Sequence, residues 1–339
     1  SSVMDFFLLL NWLETENGQS RFTDEGLFFL RRSAAYGVTV SYLPTFNHVP
    51  VLLYDNPNII WKRTPEGLET HVNRRMNVWG SGGAHSLYFR KIDEIIIHIF
   101  NQPLDDQPIG IADMGCGDGT LLMHLHNVVK NQTERGKHLN IYPLKIIGAD
   151  FNKAARLASS ITLKEAGIEH SILHGDISSP SAYAENLQDQ YHLDLRQMLN
   201  VRSFLDHNRI YSPPKKPFHD RICNSTGAFA FRGRWIPNNE LKQNLVEHFA
   251  AWTKYVNKYG LLILELHTVN PKLTAENLGK TTATAYDGTH GYSDQYIFEV
   301  DVVLEAAKEA GLIPDPQYQA RFPNDELATI SINLFQAGS

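Results

Sequence analysis

The chain has 339 residues, a formal net charge of −6, 42% hydrophobic residues and 20% charged residues. This length is sufficient for a sizeable core and favours two domains. The acidic charge argues against a nucleic-acid-binding surface, which needs a basic stripe. No run of about 18 apolar residues predicts a membrane span. We therefore expect neither a nucleic-acid partner nor a membrane partner.

The chain contains two cysteines, Cys116 and Cys223. Cys116 lies inside a glycine-rich loop, so a structural disulfide is not expected, as is usual in a reducing compartment. The N-terminus lacks the pattern of a secretory signal peptide. These features predict a cytoplasmic protein. The start at Ser-Ser-Val without a methionine suggests a piece of a longer polypeptide with neighbouring domains, although a processed or tagged terminus would look the same.

The first 100 residues are expected to form a separate, mostly helical domain. Apolar spacing predicts helices at 3–13 and, after the N-cap residue Thr23, at 24–35. Alternating residues at 38–43 and 49–54 predict a hairpin. This order is winged-helix-like, but the charge is mixed and no basic recognition helix follows. We therefore predict a lid over an active site rather than a DNA-binding domain.

Residues 73–88 read NRRMNVWGSGGAHSLY and are predicted to be a loop, because three glycines would weaken a helix. Loops in which Trp, His and Asn stand among glycines often form the wall of a binding site. The sequence therefore marks Asn77, Trp79, His85 and Tyr88 as candidate substrate contacts. A helix at 87–100 is expected to lead into the second domain.

The stretch 109–120, IGIADMGCGDGT, predicts a buried strand, a glycine turn and the start of a helix. Such a unit opens a doubly wound α/β domain and places a ligand at the carboxyl end of the strand. The dinucleotide pattern G-x-G-x-x-G fails at its last position, Thr120, and the Gly-Lys-Ser/Thr ending of a P-loop is absent.

Two further acids follow predicted strands in the same way. Asp150 ends the apolar run 144–149, where an acid can accept both hydroxyls of a ribose. Asp176 follows a short strand at 171–173. A single Asp at a strand end is usually a helix cap, but three in this order form a specific signal.

The rest of residues 101–339 is predicted to complete this domain, with an insertion at about 178–240. A fourth strand ends near Arg202, Asp206, His207 and Asn208, which are candidates for substrate contact. A fifth strand at 261–266 ends at His267. The loop 283–296 holds His290 and Gln295, and the alternating run 327–335 predicts half of an antiparallel closing hairpin.

The run Asp113-Met-Gly115-Cys-Gly117-Asp-Gly119 resembles the first motif, D/E-x-G-x-G-x-G, of class I methyltransferases that use S-adenosyl-L-methionine (AdoMet). The resemblance implies a Rossmann-like doubly wound sheet. It also implies that Asp113 helps to hold the cofactor's amino group, and that Asp176 meets the adenine amino group beside an apolar neighbour. The implied cofactor contacts are Asp113, Gly115, Gly117, Asp118, Asp150, Phe151, Asp176 and Ile177.

Segments 77–85, 201–207 and 266–268, together with the loop that holds His290 and Gln295, resemble a narrower group. This group comprises the C-methyltransferase domains of polyketide loading modules of the apratoxin and saxitoxin type. The resemblance covers nearly the whole chain. It implies methylation of the α-carbon of an acyl group on the phosphopantetheine arm of an acyl carrier protein. In some members a mononuclear iron or manganese binds at the substrate through His and Gln side chains.

The chemistry at this edge of the sheet leaves two interpretations open. A carbon nucleophile requires removal of an α-proton or loss of a carboxylate, and the resulting enolate needs a hydrogen-bond donor or a metal. His207, His267, His290 and Gln295 are the candidate catalytic residues. His267, His290 and Gln295 could form a metal site. Alternatively, the histidines act as a general base and hydrogen-bond donors without a metal.

Three functional hypotheses follow. The first is a C-methyltransferase that acts on a carrier-bound acyl group in polyketide biosynthesis. The second is a small-molecule O- or N-methyltransferase with a His general base, which shares the cofactor motifs. The third is a non-catalytic module with a decayed site, against which the intact set Asp113, Asp150 and Asp176 argues.

Overall fold

The computed structural model describes residues 2–31, 33–65, 69–85, 88–278, 280–281 and 294–338; within these ranges the side chains at 35, 78 and 81–85 are not described. Two compact units are present. The first comprises residues 1–88, 230–235 and 269–293, and the second comprises 89–229, 236–268 and 294–339. Across the described ranges, no helix combines the length and apolarity needed to cross a membrane. The predicted boundary near residue 100 and the cytoplasmic location stay predictions.

The first unit is mostly helical and includes a hairpin near its N-terminus. Its elements are α1 (Ser2–Leu9), β1 (Leu13–Glu16), β2 (Gln19–Phe22), α2 (Asp24–Arg31), α3 (Tyr36–Val40), α4 (Leu43–Phe46), α5 (Val49–Tyr54) and α6 (Arg74–His85). Thr23 caps α2, since its hydroxyl accepts a hydrogen bond from the amide of Gly26 at 3.0 Å. The Trp12 ring stacks on Phe29 with centroids 4.2 Å apart.

The predicted hairpin at 38–54 is wrong, because this segment forms α3, α4 and α5. Pro44 and Pro50 stand in the first turns of α4 and α5, where a fixed φ favours a helix. The hairpin lies earlier, between β1 and β2. Its turn is Asn17-Gly18, both with positive φ, the combination that matches the twist of a two-residue hairpin.

The predicted loop at 73–88 is also wrong, because α6 occupies most of it. The glycines that argued for a loop instead allow two helix backbones to meet. A Cβ on Gly80 would stand 2.6 Å from the backbone nitrogen of Val38, and one on Gly37 would stand 2.9 Å from the Trp79 ring. Here α3 and α6 pack at a distance that no larger residue allows, which offsets the low helix propensity of glycine.

The second unit is a seven-stranded sheet flanked by helices. Its strands are β3 (Gly110–Met114), β4 (Lys145–Asp150), β5 (Ser171–His174), β6 (Met198–Ser203), β9 (Leu261–Leu266), β10 (Leu312–Phe322) and β11 (Ile330–Ala337). The short strands β7 (Phe229–Phe231) and β8 (Arg234–Ile236) form a separate two-stranded sheet, most of which belongs to the first unit. The helices are α7 (Phe89–Ile99), α8 (Thr120–Gln132), α9 (Glu134–Lys137), α10 (Lys153–Glu165), α11 (Pro180–Tyr191), α12 (Asn238–Val256) and α14 (Val300–Glu309); α13 (Pro271–Glu276) belongs to the first unit.

The strand order is β10-β11-β9-β6-β3-β4-β5. Strands β5, β4, β3, β6 and β9 are parallel, whereas β11 runs antiparallel to both β9 and β10. The predicted doubly wound sheet with an antiparallel closing hairpin is therefore confirmed. The chain crosses from β3 to β4 on one side and to β6 on the other, and this switch point leaves a crevice for a ligand at the carboxyl ends.

Candidate active site

The glycine-rich loop after β3 gives each of its glycines a separate role. Gly115, Gly117 and Gly119 all have positive φ. A Cβ on Gly115 would meet the Leu205 side chain at 2.8 Å, and one on Gly119 would meet Ser159 of α10 at 2.7 Å. Nothing lies within 4 Å of a Cβ on Gly117. The loop is therefore packed at both ends and open at its centre, where a ligand can approach the backbone.

The three predicted acids lie at the carboxyl ends of adjacent parallel strands. Asp150 accepts hydrogen bonds from the amides of Gly117, at 3.2 Å, and Asn152, at 2.7 Å. Asp176 accepts one from the amide of Ser178 at 2.8 Å. Asp118 is exposed and accepts one from the amide of Thr120 at 3.0 Å, at the start of α8. Phe151 is 61% exposed, whereas Ile177 is buried.

Asp113 is a buried carboxyl group that has no counter-ion among the described residues. It is 1% exposed, and its Oδ1 has no hydrogen-bond partner within the described part of the chain. Burial, and then the charge of Asp150, raise the pKa of Asp113 to about 8. A cation at this position would relieve both effects. The methionyl ammonium of AdoMet is such a cation, so the residues at this edge fit AdoMet.

His207 lies on a short 3₁₀ turn, Asp206–Asn208, just after β6. Its Nδ1 lies 2.7 Å from Oε1 of Glu265 on β9, and its backbone amide donates to Oε2 of the same carboxylate at 3.2 Å. Both residues are buried. Because a carboxylate can only accept, His207 carries its proton on Nδ1, which leaves Nε2 with a lone pair.

One amide side chain contacts this lone pair, and a second amide contacts the first. Asn208 donates from Nδ2 to His207 Nε2 at 2.8 Å, and Gln295 donates to Asn208 Oδ1 at 3.4 Å. The amide of Tyr296 also donates to the carbonyl of His207 at 2.8 Å. The structure thus brings together two of the predicted catalytic residues, His207 and Gln295. Asn208 joins them.

Arg202 ends in the interior beside the same turn. Its guanidinium lies 3.9 Å above the Trp252 ring and donates from Nη1 to Asp206 Oδ1 at 2.7 Å. The same Oδ1 accepts a hydrogen bond from Nε2 of His248 at 2.8 Å. Burial alone would raise the pKa of Asp206, but Arg202 and His248 outweigh it and hold that pKa well below its usual range.

His267 is fully buried, with both ring nitrogens engaged. Nδ1 donates to the Phe298 carbonyl at 3.1 Å, and Nε2 accepts from the Ser331 hydroxyl at 2.7 Å. Burial lowers the pKa of His267 to about 4, so the ring is neutral at physiological pH. These contacts give His267 a structural role at the end of β9. Its predicted catalytic role stays a prediction.

The candidate substrate residues from Asn77 to Tyr88 all lie in the first unit. Both polar atoms of the Asn77 side chain are engaged, Nδ2 with Ser41 at 3.1 Å and Oδ1 with Arg74 at 3.2 Å. Trp79 is 60% exposed and Tyr88 is buried. The backbone of His85 ends α6, and its side chain is outside the described atoms. Their contact with substrate stays a prediction.

The proposed metal ligands are only partly covered. His290 lies outside the described residues, and the nitrogens of His267 are already engaged. Within the described ranges, no three His, Cys, Asp or Glu side chains stand close enough to hold a metal. The described residues do not by themselves fit an iron or manganese ion.

Comparison with known proteins identifies the family. A family model for the AprA MT2-like domain matches residues 69–333, and one for the AprA winged helix domain matches residues 1–56. The chain belongs to the AprA MT2-like methyltransferase domain family. It is an AdoMet-dependent methyltransferase, and the winged-helix-like assignment of its N-terminal region is confirmed. No curated protein matches the sequence.

Solved structures similar to this methyltransferase are distant in sequence. The CMeT domain of the citrinin polyketide synthase is 10% identical over 100% of this chain and 78% of that chain, with a TM-score of 0.51. The apo methyltransferase SibL is 14% identical over 100% and 86%, with a TM-score of 0.49. The CurJ carbon methyltransferase is 12% identical over 100% and 79%, with a TM-score of 0.46. At such identities, the likeness to the citrinin domain supports the fold alone.

Glu265, the partner of His207 in this methyltransferase, is not among the residues predicted from the sequence. A signal was present, because Glu265 interrupts the apolar run LLILEL of β9. A charged residue inside a fully buried strand requires a partner. The sequence could not identify that partner, because it lies 58 residues away along the chain.

Proposed function

We propose that this methyltransferase transfers a methyl group to the α-carbon of an acyl group carried as a thioester on an acyl carrier protein in polyketide biosynthesis. The observation that carries the proposal is the buried His207–Glu265 pair, in which the unprotonated Nε2 of His207 accepts a hydrogen bond from Asn208, itself bound by Gln295. Neighbouring domains of a longer polypeptide would present the carrier. The family match supports this context.

A carbon acid requires two groups that this site offers. A base must take the α-proton, and a donor must stabilise the enolate oxygen that results. In the proposed reaction His207 Nε2 accepts the α-proton and becomes an imidazolium, which Glu265 stabilises through the Nδ1–H. Asn208 then turns its amide from Nε2 to the enolate oxygen. Loss of the proton leaves the electron pair on the α-carbon.

AdoMet, when bound, supplies a methyl group on a sulfonium. Asp113 would hold its ammonium, Asp150 its ribose hydroxyls and Asp176 its adenine amino group, with Phe151 and Ile177 beside the ring. The open backbone at Gly117 would admit its methionyl portion. Positioning of the α-carbon in line with the methyl group is expected to supply much of the rate.

The proposal is tested by intact-protein mass spectrometry of carrier protein loaded with malonyl, methylmalonyl or isobutyryl groups. A mass gain of one methyl with wild-type protein and AdoMet, lost in His207→Asn, is expected. Hydrolysis of the product and NMR of the freed acid would show whether the new methyl is bound to the α-carbon. Repeating the reaction with chelator, and with added iron or manganese, tests the metal prediction.

The outcomes separate the competing functions. A methyl on oxygen, or turnover of small phenols or amines without any carrier substrate, would replace the proposal with a small-molecule O- or N-methyltransferase. The same His207–Glu265 pair could serve that reaction as a general base. Absence of AdoMet turnover with every acceptor would contradict both.

A further inference from the structure

The turn that carries His207 is held from several directions through one residue, Asp206. Its carboxylate Oδ1 accepts from Arg202 of β6 at 2.7 Å and from His248 of α12 at 2.8 Å. Its backbone carbonyl accepts from Arg209 Nη1 at 3.0 Å. Glu265 of β9 makes two further bonds to the turn, and both meet His207 itself.

The residues that make these contacts are buried, so a polar group left without its partner here would be costly. Arg202 and Arg209 are 1% and 2% exposed, and Asp206 is 3% exposed. Both guanidiniums lie against this one carboxylate-bearing residue, and Arg209 is further held by Asn244 at 2.7 Å. Charge-assisted hydrogen bonds of this kind are short and directional, so they fix geometry more sharply than apolar packing does.

The backbone conformation just before the turn also requires support from the surrounding residues. Phe204, between β6 and the turn, has a φ of +52°, a left-handed conformation that a bulky residue adopts only when its surroundings enforce it. Its amide is tied to the Leu264 carbonyl of β9 at 2.8 Å. The chain therefore leaves β6 through a strained residue and enters the turn against the Asp206 contacts.

We infer that Asp206 is a positioning residue for His207, and that His248 of α12 acts through it. The Arg202–Asp206–His248 contacts fix the turn on β6 and α12, so that His207 Nε2 stands at one place while Glu265 orients the ring. This inference rests on the proposed role of His207. It assigns the fixed position of His207 to a second set of residues, which contact the turn rather than the substrate.

The alternative is that these contacts only stabilise the fold. Positioning and stability are separable, because a displaced base lowers kcat without changing the sites that bind AdoMet. A displacement of about 1 Å can reduce a rate by roughly 100-fold. Loss of stability alone would lower the melting temperature and leave the kcat of the folded fraction unchanged.

His248 provides the sharpest test. His248→Gln keeps an N–H donor for Asp206, whereas His248→Leu has a similar volume without one. We expect His248→Leu to lower kcat for carrier methylation by roughly 10- to 100-fold, with unchanged KM and unchanged AdoMet Kd. We expect His248→Gln to restore most of that rate. Asp206→Asn, which removes the charge that Arg202 and Arg209 share, should resemble His248→Leu.

A second readout does not depend on the substrate. The His207 Nδ1–H shared with Glu265 should give a low-field proton NMR signal, assigned by its loss in His207→Asn. That signal should shift or broaden in His248→Leu and Asp206→Asn and stay in His248→Gln. His170→Leu serves as the matched control, since His170 is hydrogen-bonded to Ile168 and Ser160 elsewhere in the unit.

Wild-type kcat and an unshifted signal in both His248→Leu and Asp206→Asn would overturn the inference. So would an equal loss in His248→Leu and His248→Gln that follows the melting temperature. If wild-type protein methylates no carrier-bound acyl group, the proposed function fails, and the NMR signal still decides whether Asp206 fixes the turn.

Discussion

Glu265 meets His207 twice, once at the ring and once at the main chain. Oε1 lies 2.7 Å from Nδ1 and Oε2 lies 3.2 Å from the backbone nitrogen. One carboxylate therefore sets the tautomer of the imidazole and the place of the turn that bears it. Oε1 also accepts from the amide of Leu266 at 2.7 Å, so the carboxylate is itself fixed.

Glu265→Gln is expected to lower kcat for methyl transfer by roughly 100- to 10,000-fold, the contribution of a general base. The amide removes the charge that stabilises the imidazolium and can turn its own N–H toward Nδ1. AdoMet affinity, measured by calorimetry, should not change. Glu94→Gln, at an exposed residue of α7, is the control. Wild-type turnover in Glu265→Gln would remove His207 from the mechanism.

Asp113→Asn is expected to separate stability from binding. The pKa of Asp113 is raised from 3.8 to about 8 in the folded chain, so the contribution of its protonated form to stability is complete below pH 3.8 and is lost as the pH rises through about 8. Ligand-free Asp113→Asn should therefore be more stable than wild type at pH 8, by a few kcal/mol at most, and the two should converge near pH 4.

The same substitution should weaken AdoMet binding, since it removes the partner of the ammonium. Urea unfolding at pH 4 and pH 8, with and without AdoMet, measures both effects. Asp118→Asn, at an exposed loop residue, is the control for stability. A variant that is less stable at pH 8 and binds AdoMet normally would contradict the account of Asp113.

His267 predicts a different dependence on pH. Burial lowers its pKa from 6.5 to about 4, so its contribution to stability is complete above pH 6.5 and is lost as the pH falls toward 4. The loss amounts to about 3 kcal/mol. His267→Asn should flatten this part of the curve, whereas Ser331→Ala should lower stability and keep the slope. Wild-type turnover in His267→Asn would show that the predicted catalytic role of His267 is wrong.

Gly80→Ala is expected to destabilise the first unit by roughly 1–3 kcal/mol, as overpacking usually does. The new Cβ would stand 2.6 Å from the backbone nitrogen of Val38 and 2.7 Å from the backbone carbonyl carbon of Gly37, and backbone atoms cannot move aside as a flexible side chain can. Gly37→Ala should have a similar effect at the same crossing. Arg75→Ala, on the exposed side of α6, is the control. Equal melting temperatures for Gly80→Ala, Gly37→Ala and Arg75→Ala would contradict the close contact of α3 and α6.

The features that the sequence predicted best are local ones. The strand, glycine turn and helix at 109–132 and the strand ending at His267 are each encoded within a short run. The errors differ in cause. Gly80 is helical because of a tertiary contact with α3, whereas Pro44 and Pro50 are local helix signals that outweigh the alternating pattern of 38–54. The glycines of α6 argue for a loop until their partner across the helix crossing is known.

The candidate site divides in the same way. The acids Asp113, Asp150 and Asp176 could be predicted because parallel strands end at one edge. The partners of the turn could not, because Glu265, which meets His207, and His248, which meets Asp206, come from β9 and α12. His267 illustrates the converse, since a histidine at the end of a buried strand is as readily a core residue as a reactive one.

Strand β10 forms one edge of the large sheet, and it carries Pro314 and Pro316 with a shift in register between Pro314 and Gln319. Proline has no N–H to offer a neighbouring strand, and an irregular edge cannot pair evenly. A second chain would therefore find no continuous row of donors there. The irregular edge of β10 therefore disfavours the addition of a strand from a second chain, which is a common first step of aggregation.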